Sequence, residues 1–134
     1  MMAEASKALI EKAFAARENA YAPYSKFKVG AALETLDGQV FTGCNVENVS
    51  FGGTICAERV AMTKAVSEGH RKFRQLVIAS QSDDPAGPCG LCRQFMAEFV
   101  DDEFTITLVN TAGKRQVCRF GDLLPLAFRP GVLD

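Results

Sequence analysis

The pair Asp37-Gly38 constrains this chain more than any other short segment. Asp-Gly favours the tight turn of a β-hairpin, and it lies between two β-like runs, Phe27 to Thr35 and Gln39 to Asn45. Upstream, residues 3–19 place Ala5, Ala8, Leu9, the stem of Lys12, Ala13 and Ala16 at helical spacing among good helix formers. Tyr21-Ala22-Pro23-Tyr24-Ser25 should end that helix, because proline disfavours helix in the residue before it. Downstream, a helix is predicted from Cys56, with Ala57, Val60, Ala61, Ala65 and Val66 inward and Gly69 as C-cap. Gln75 to Ser80 reads as a buried strand and Ser82 to Pro88 as a loop. A short helix opened by Cys89 should turn Leu91, Phe95, Met96 and Phe99 inward, and strands follow at Phe104 to Asn110 and Gln116 to Phe120. A hairpin followed by alternating strands and helices implies an α/β protein with a mixed sheet and helices on its faces.

The chain has 134 residues, so one domain spanning residues 1–134 is expected, large enough to bury a core unaided. Fifteen basic and sixteen acidic side chains leave a net charge of −1. That balance argues against a nucleic-acid partner, whose binding is mainly electrostatic, and suits a small, nearly neutral ligand. No run approaches the roughly 20 apolar residues of a membrane helix. Met1 to Lys7 shows no basic segment followed by an apolar one, so neither a membrane partner nor a secretory signal is expected. A cytoplasmic protein follows as the default, and there thiols stay reduced. Five cysteines cannot all pair internally, and one histidine excludes sites that need two from a single chain. A metal bound here must be bound by sulfur.

Cys56 and the pair Cys89/Cys92 each follow a loop and open a predicted helix. Residues three apart share a helix face, so Cys89 and Cys92 can address one point. Helix N-termini favour thiolates, and three sulfur ligands would leave a fourth position open, as catalytic zinc requires. Cys-x-x-Cys alone also permits a redox pair or half of a closed four-cysteine site that Cys44 could complete. Cys44 and Cys118 read better as small buried hydrophobes. Glu58, two residues after Cys56, shifts the balance, since a metal-activated water needs a proton carrier that is not itself a ligand.

On these residues the chain resembles the small cytidine deaminases, the three-cysteine form. The likeness runs through Tyr21 to Phe27, Val29 to Leu33, Asn45-Val-Glu-Asn48, Thr54 to Arg59, Lys64 to Gly69, Pro88-Cys-Gly-Leu-Cys-Arg-Gln94, and Leu123-Leu-Pro125 with Phe128. The resemblance implies a three-layer α-β-α fold with a mixed five-stranded sheet. It implies zinc on Cys56, Cys89 and Cys92, with Glu58 shuttling protons while water activated on zinc attacks C4 of cytidine or 2′-deoxycytidine, a step of pyrimidine salvage. Phe27 would stack near the base, and Asn45 and Glu47 would hold the ribose 3′-hydroxyl. The backbone at Ala57 and Cys89 would meet the pyrimidine edge. Arg59 would hydrogen-bond the zinc-bound sulfurs, and Phe128 would reach a neighbouring subunit's site in a homotetramer.

One departure stands out: Phe51 occupies a position where the family usually has tyrosine, which puts a subunit or substrate contact in question and leaves the zinc chemistry intact. Four other readings compete. A polynucleotide-editing deaminase is disfavoured by the charge balance and the compact chain. A deaminase of the blasticidin type shares the zinc motif, though Asn45-Val-Glu-Asn48 favours ribose. A closed Cys44/Cys56/Cys89/Cys92 zinc site would make a binding module. A redox protein would pair Cys89 with Cys92.

Overall fold

The computed structural model describes residues 5–133. In chain order it contains α1 (Lys7–Arg17), β1 (Gly30–Thr35), β2 (Val40–Cys44), a turn of 3-10 helix (Phe51–Gly53), α2 (Ala57–Ser67), β3 (Phe73–Ser80), α3 (Gly90–Ala97), β4 (Thr105–Asn110), β5 (Arg115–Arg119) and α4 (Phe120–Leu123). The strands form one five-stranded sheet in the order β2-β1-β3-β4-β5. Only the β3–β4 pairing is parallel; β1 runs antiparallel to β2 and β3, and β5 to β4. The expected mixed sheet is present.

Alternation along the strands divides the core between the two faces. Ala31, Leu33, Leu76, Ile78, Ile106 and Leu108 point to one face and pack with Ala57, Ala61, Met62, Cys92 and Met96 of α2 and α3. Ala32, Val77, Ala79 and Val109 point to the other and pack with Leu9, Ile10 and Ala13 of α1. The result is three layers, with α1 alone on one side.

The hairpin closes as a three-residue loop: the N–H of Thr35 donates to the Gln39 carbonyl at 2.8 Å, and Gly38 takes φ +91°, the left-handed conformation glycine supplies cheaply. Ser6 caps α1, its hydroxyl accepting from the N–H of Leu9 at 3.2 Å. The predicted helix over 3–19 is thus shorter, and its residues 3 and 4 lie outside the described ones. Ile10 is buried where Ala8 and Lys12 were expected, which rotates the inner stripe by about one residue. The strand predicted from Phe27 begins only at Gly30, because side chains hold the polar groups of Phe27 and Val29 that a ladder would have used. Leu91 is 61% exposed, contrary to expectation. The inner stripe of α3 is Cys92, Phe95, Met96 and Phe99, at i, i+3, i+4 and i+7, which turns the residue before Cys92 outward.

Gly43 is where α2 comes closest to the sheet. A Cβ there would lie 2.6 Å from both the Ala57 carbonyl oxygen and the Ala61 nitrogen. Backbone cannot yield as a side-chain end can, so the helix would have to lift. Gly43→Ala is expected to lower stability by about 2 kcal/mol, the usual cost of overpacking, in urea unfolding. An unchanged midpoint would show that α2 is not seated on that contact.

Candidate active site at the carboxyl edge of the sheet

β2 and β3 are both antiparallel to β1 and therefore parallel to each other, and β4 continues that direction. α2 follows β2 and α3 follows β3, so both helices start at the carboxyl edge of these strands. Cys56 is the N-cap of α2 and Cys89 the N-cap of α3. Cys92 lies one turn into α3, and its N–H donates to Cys89 Sγ at 3.5 Å. The two N-termini thus bring three sulfurs together from two separate segments.

Among the described residues these three form the one group of clustered metal-ligating side chains, all ligand atoms within 4.8 Å of one another. Cys56 Sγ and Cys89 Sγ are 3.8 Å apart. Two sulfurs bound tetrahedrally to one zinc, each at about 2.3 Å, would sit about 3.8 Å apart, so the donor set fits zinc in type and spacing. A redox pair would have no use for the third sulfur. Cys118 is buried in the core as expected, whereas Cys44, expected to be a buried hydrophobe, is only half-buried; neither is in the group.

The thiols titrate together. Cys56 is held down to about 5, chiefly by its hydrogen bond with Cys92, with further help from Arg59 and Cys89. The same bond, together with burial, pushes Cys92 up. Arg59 reaches back from α2, donating from Nη2 to the Thr54 carbonyl at 3.2 Å and to Cys56 Sγ at 3.8 Å. Its positive charge beside two helix N-termini would offset part of the negative charge of three thiolates once they bind a metal.

Glu58 occupies the first turn of α2 and is 5% exposed. Burial pushes its carboxyl up to about 7; its own backbone N–H draws it down, and the charge at Cys56 raises it further. A carboxyl poised there exchanges protons readily near neutral pH.

A cavity of about 270 Å³ opens over this floor. Cys56, Ala57, Glu58 and Cys89 line it together with Phe27, Asn45 and Glu47, while Cys92 lies behind. Seven residues singled out in the sequence therefore meet in one space. Phe128 does not line it: the residue is 56% exposed on a C-terminal arm beside α3, where Gln94 donates to its carbonyl at 2.7 Å. Ser25, Val29, Thr54, Ile78, Ala86 and Gly87 also line the cavity without having been expected there. Ser25, Val29 and Thr54 lie in stretches that carried the resemblance, whereas no local pattern marks Ala86 and Gly87.

Three sulfurs placed to hold one zinc ion, open to a cavity and with a buried carboxyl beside them, are the donor set and surroundings of a hydrolytic zinc enzyme. Residues 3–108 match the family described as the cytidine and deoxycytidylate deaminase zinc-binding region, and the chain belongs to that family. Zinc is accordingly its cofactor, and its chemistry is hydrolytic deamination. The chain is 47% identical to a cytidine deaminase of Sporosarcina psychrophila over 120 residues, covering 90% of this chain and 88% of that one. It is 48% identical to a cytidine deaminase of Halalkalibacterium halodurans, covering 90% and 91%. A crystal structure of cytidine deaminase from Burkholderia pseudomallei superposes with a TM-score of 0.90 at 50% identity, covering 93% of this chain and all of that one.

Replacing Cys56, Cys89 or Cys92 by alanine is expected to abolish zinc binding, measured as metal per chain by atomic emission. Cys44→Ser should keep one zinc per chain, and loss of metal from that variant would favour the closed four-sulfur site.

Proposed function

We propose that the protein converts cytidine and 2′-deoxycytidine to uridine and 2′-deoxyuridine with release of ammonia. The observation that carries this reading is the buried carboxyl of Glu58 between the three sulfurs and a cavity lined by an aromatic ring, an amide and a second carboxylate. Zinc, when bound by Cys56, Cys89 and Cys92, supplies the Lewis acidity that makes water nucleophilic near neutral pH.

Glu58 takes the proton of the attacking water and gives it to N3 of the cytosine ring as C4 accepts the oxygen. It then takes the proton of the new C4 hydroxyl and delivers it to the exocyclic amine, the C4–N bond breaks, the C4 carbonyl forms and ammonia leaves. The backbone at Ala57 and Cys89, both on the cavity wall, meets the pyrimidine edge, and the Phe27 ring stacks on its face. Asn45 uses one N–H on the Phe27 carbonyl and its oxygen on the N–H of Val29, leaving one donor for a ribose hydroxyl. Glu47 stays ionised at neutral pH: the Ser25 hydroxyl and the N–H groups of Ser25 and Tyr24 hold its carboxyl below its usual range. It keeps lone pairs free for the same sugar.

The finer reading of the assembly is a homotetramer in the cytoplasm in which Phe128 completes a neighbour's cavity. Tyr21, Tyr24, Val49, Phe51, Leu126 and Phe128 are large apolar side chains left exposed, which suits a surface covered by another subunit. Phe51 keeps an aromatic contact without a hydroxyl, its ring 5.9 Å from that of Tyr24 and edge-on to it. No described helix is long and apolar enough to cross a membrane.

Glu58→Gln is expected to keep zinc and bind cytidine while kcat falls by about 10³-fold or more, the scale of lost proton transfer. Near-normal turnover by that variant would overturn the assignment. Sedimentation equilibrium should return four times the chain mass, and a stable monomer with full activity would exclude the role given to Phe128.

A further inference from the structure

The loop from Ala22 to Phe27 contributes Ser25 and Phe27 to the cavity wall and takes a conformation the chain does not adopt freely. Lys26 sits at φ +60°, the left-handed region that non-glycine residues avoid. A strained turn persists only when its surroundings over-determine it, and here four successive backbone N–H groups are each engaged. Those of Tyr24 and Ser25 donate to Glu47 Oε1 at 2.9 and 3.1 Å. That of Lys26 donates to the Ala22 carbonyl at 3.0 Å. That of Phe27 donates to Ser25 Oγ, also at 3.0 Å. The Ser25 hydroxyl in turn donates to Glu47 Oε2. The far side of the Phe27 peptide is held by Asn45, whose Nδ2 donates to the Phe27 carbonyl at 2.8 Å.

We propose that Ser25 is a positioning residue that couples the two halves of the substrate cavity, its one hydroxyl bridging the Glu47 carboxylate on the sugar side and the Phe27 backbone on the base side. Within this loop no other side chain spans both, because Asn45 reaches the Phe27 and Val29 backbone but not Glu47. Ser25 also lines the cavity itself. Its removal strips Phe27 of its N–H partner and Glu47 of a charge-assisted hydrogen bond in one step. The base platform and the sugar-binding carboxylate are then joined only through the Tyr24 and Ser25 N–H groups, and the looser pair must be ordered when substrate binds, a cost that falls on binding. The inference rests on the substrate contacts proposed above for Phe27 and Glu47.

The test is steady-state kinetics with cytidine on zinc-loaded enzyme. Ser25→Ala is expected to raise KM by about tenfold, the scale of one hydrogen bond to a charged group, with kcat within about threefold and one zinc per chain retained. Ser25→Thr keeps the hydroxyl and should restore most of the affinity. In a Phe27→Ala background the Ser25→Ala effect should shrink to less than half its logarithm, since the ring it positions is gone. A KM within twofold of the parent, multiplicative effects of the two substitutions, or loss of zinc from Ser25→Ala would each overturn the proposal. If Phe27→Ala and Glu47→Gln impair binding but Ser25→Ala does not, the coupling alone fails. If those two variants leave KM unchanged, the substrate contacts fail and the coupling with them.

Discussion

The two crossover connections, β2-α2-β3 and β3-α3-β4, step in the same direction across the sheet. Connections of this kind overwhelmingly share one hand, and two of one hand that step the same way place their helices on the same face. α2 and α3 do share a face, with α1 alone on the other. Both helices start at the carboxyl edge of their strands, so their N-termini converge. Cys56, Glu58, Cys89 and Cys92 need nothing beyond that convergence to meet, since each lies in the N-cap or first turn of one of these helices. The seating of α2 is set by Gly43, whose missing side chain admits the helix backbone.

Electrostatics follows from the same arrangement. Three thiolates gathered on one metal ion would repel one another unless further positive charge were close. Helix N-termini supply partial charge, and Arg59 supplies a whole one at Cys56. Arg59 holds its Nε–H buried without an acceptor, an unfavourable placement that its contacts to the sulfur and the Thr54 carbonyl offset. Glu58 is excluded from water by the helix packing that places it, and burial is the main reason its carboxyl rises toward neutrality. One packing arrangement therefore both builds the metal site and tunes the group beside it.

Much of this was legible in the sequence. Turn chemistry at Asp37-Gly38 and apolar spacing located every strand and the three longer helices, because these are local signals. That Cys56, Cys89, Cys92 and Glu58 come together was legible as a joint pattern of cysteines and a first-turn acid. What escaped depends on contacts between distant segments. The start of β1 is decided by Asn45, sixteen to eighteen residues away, which takes the polar groups of Phe27 and Val29. Leu91 could not be placed outward by spacing alone, because burial of Cys92 sets the rotation of so short a helix. The hydrogen bond of Ser25 with Glu47, twenty-two residues on, could not be read from local spacing. The strand order also stayed open, since apolar alternation shows which face a residue takes and not which neighbour its strand has.

In the proposed reaction three cysteine sulfurs, a zinc ion and Glu58 act together on a cytosine nucleoside. The most direct measurement mixes the purified protein with cytidine and follows the ultraviolet change of conversion to uridine, before and after a chelator removes the metal and again after zinc is restored. Turnover that disappears with zinc and returns with it is the predicted result. No uridine from the zinc-loaded protein, or turnover that persists once the metal has been stripped, would contradict the account.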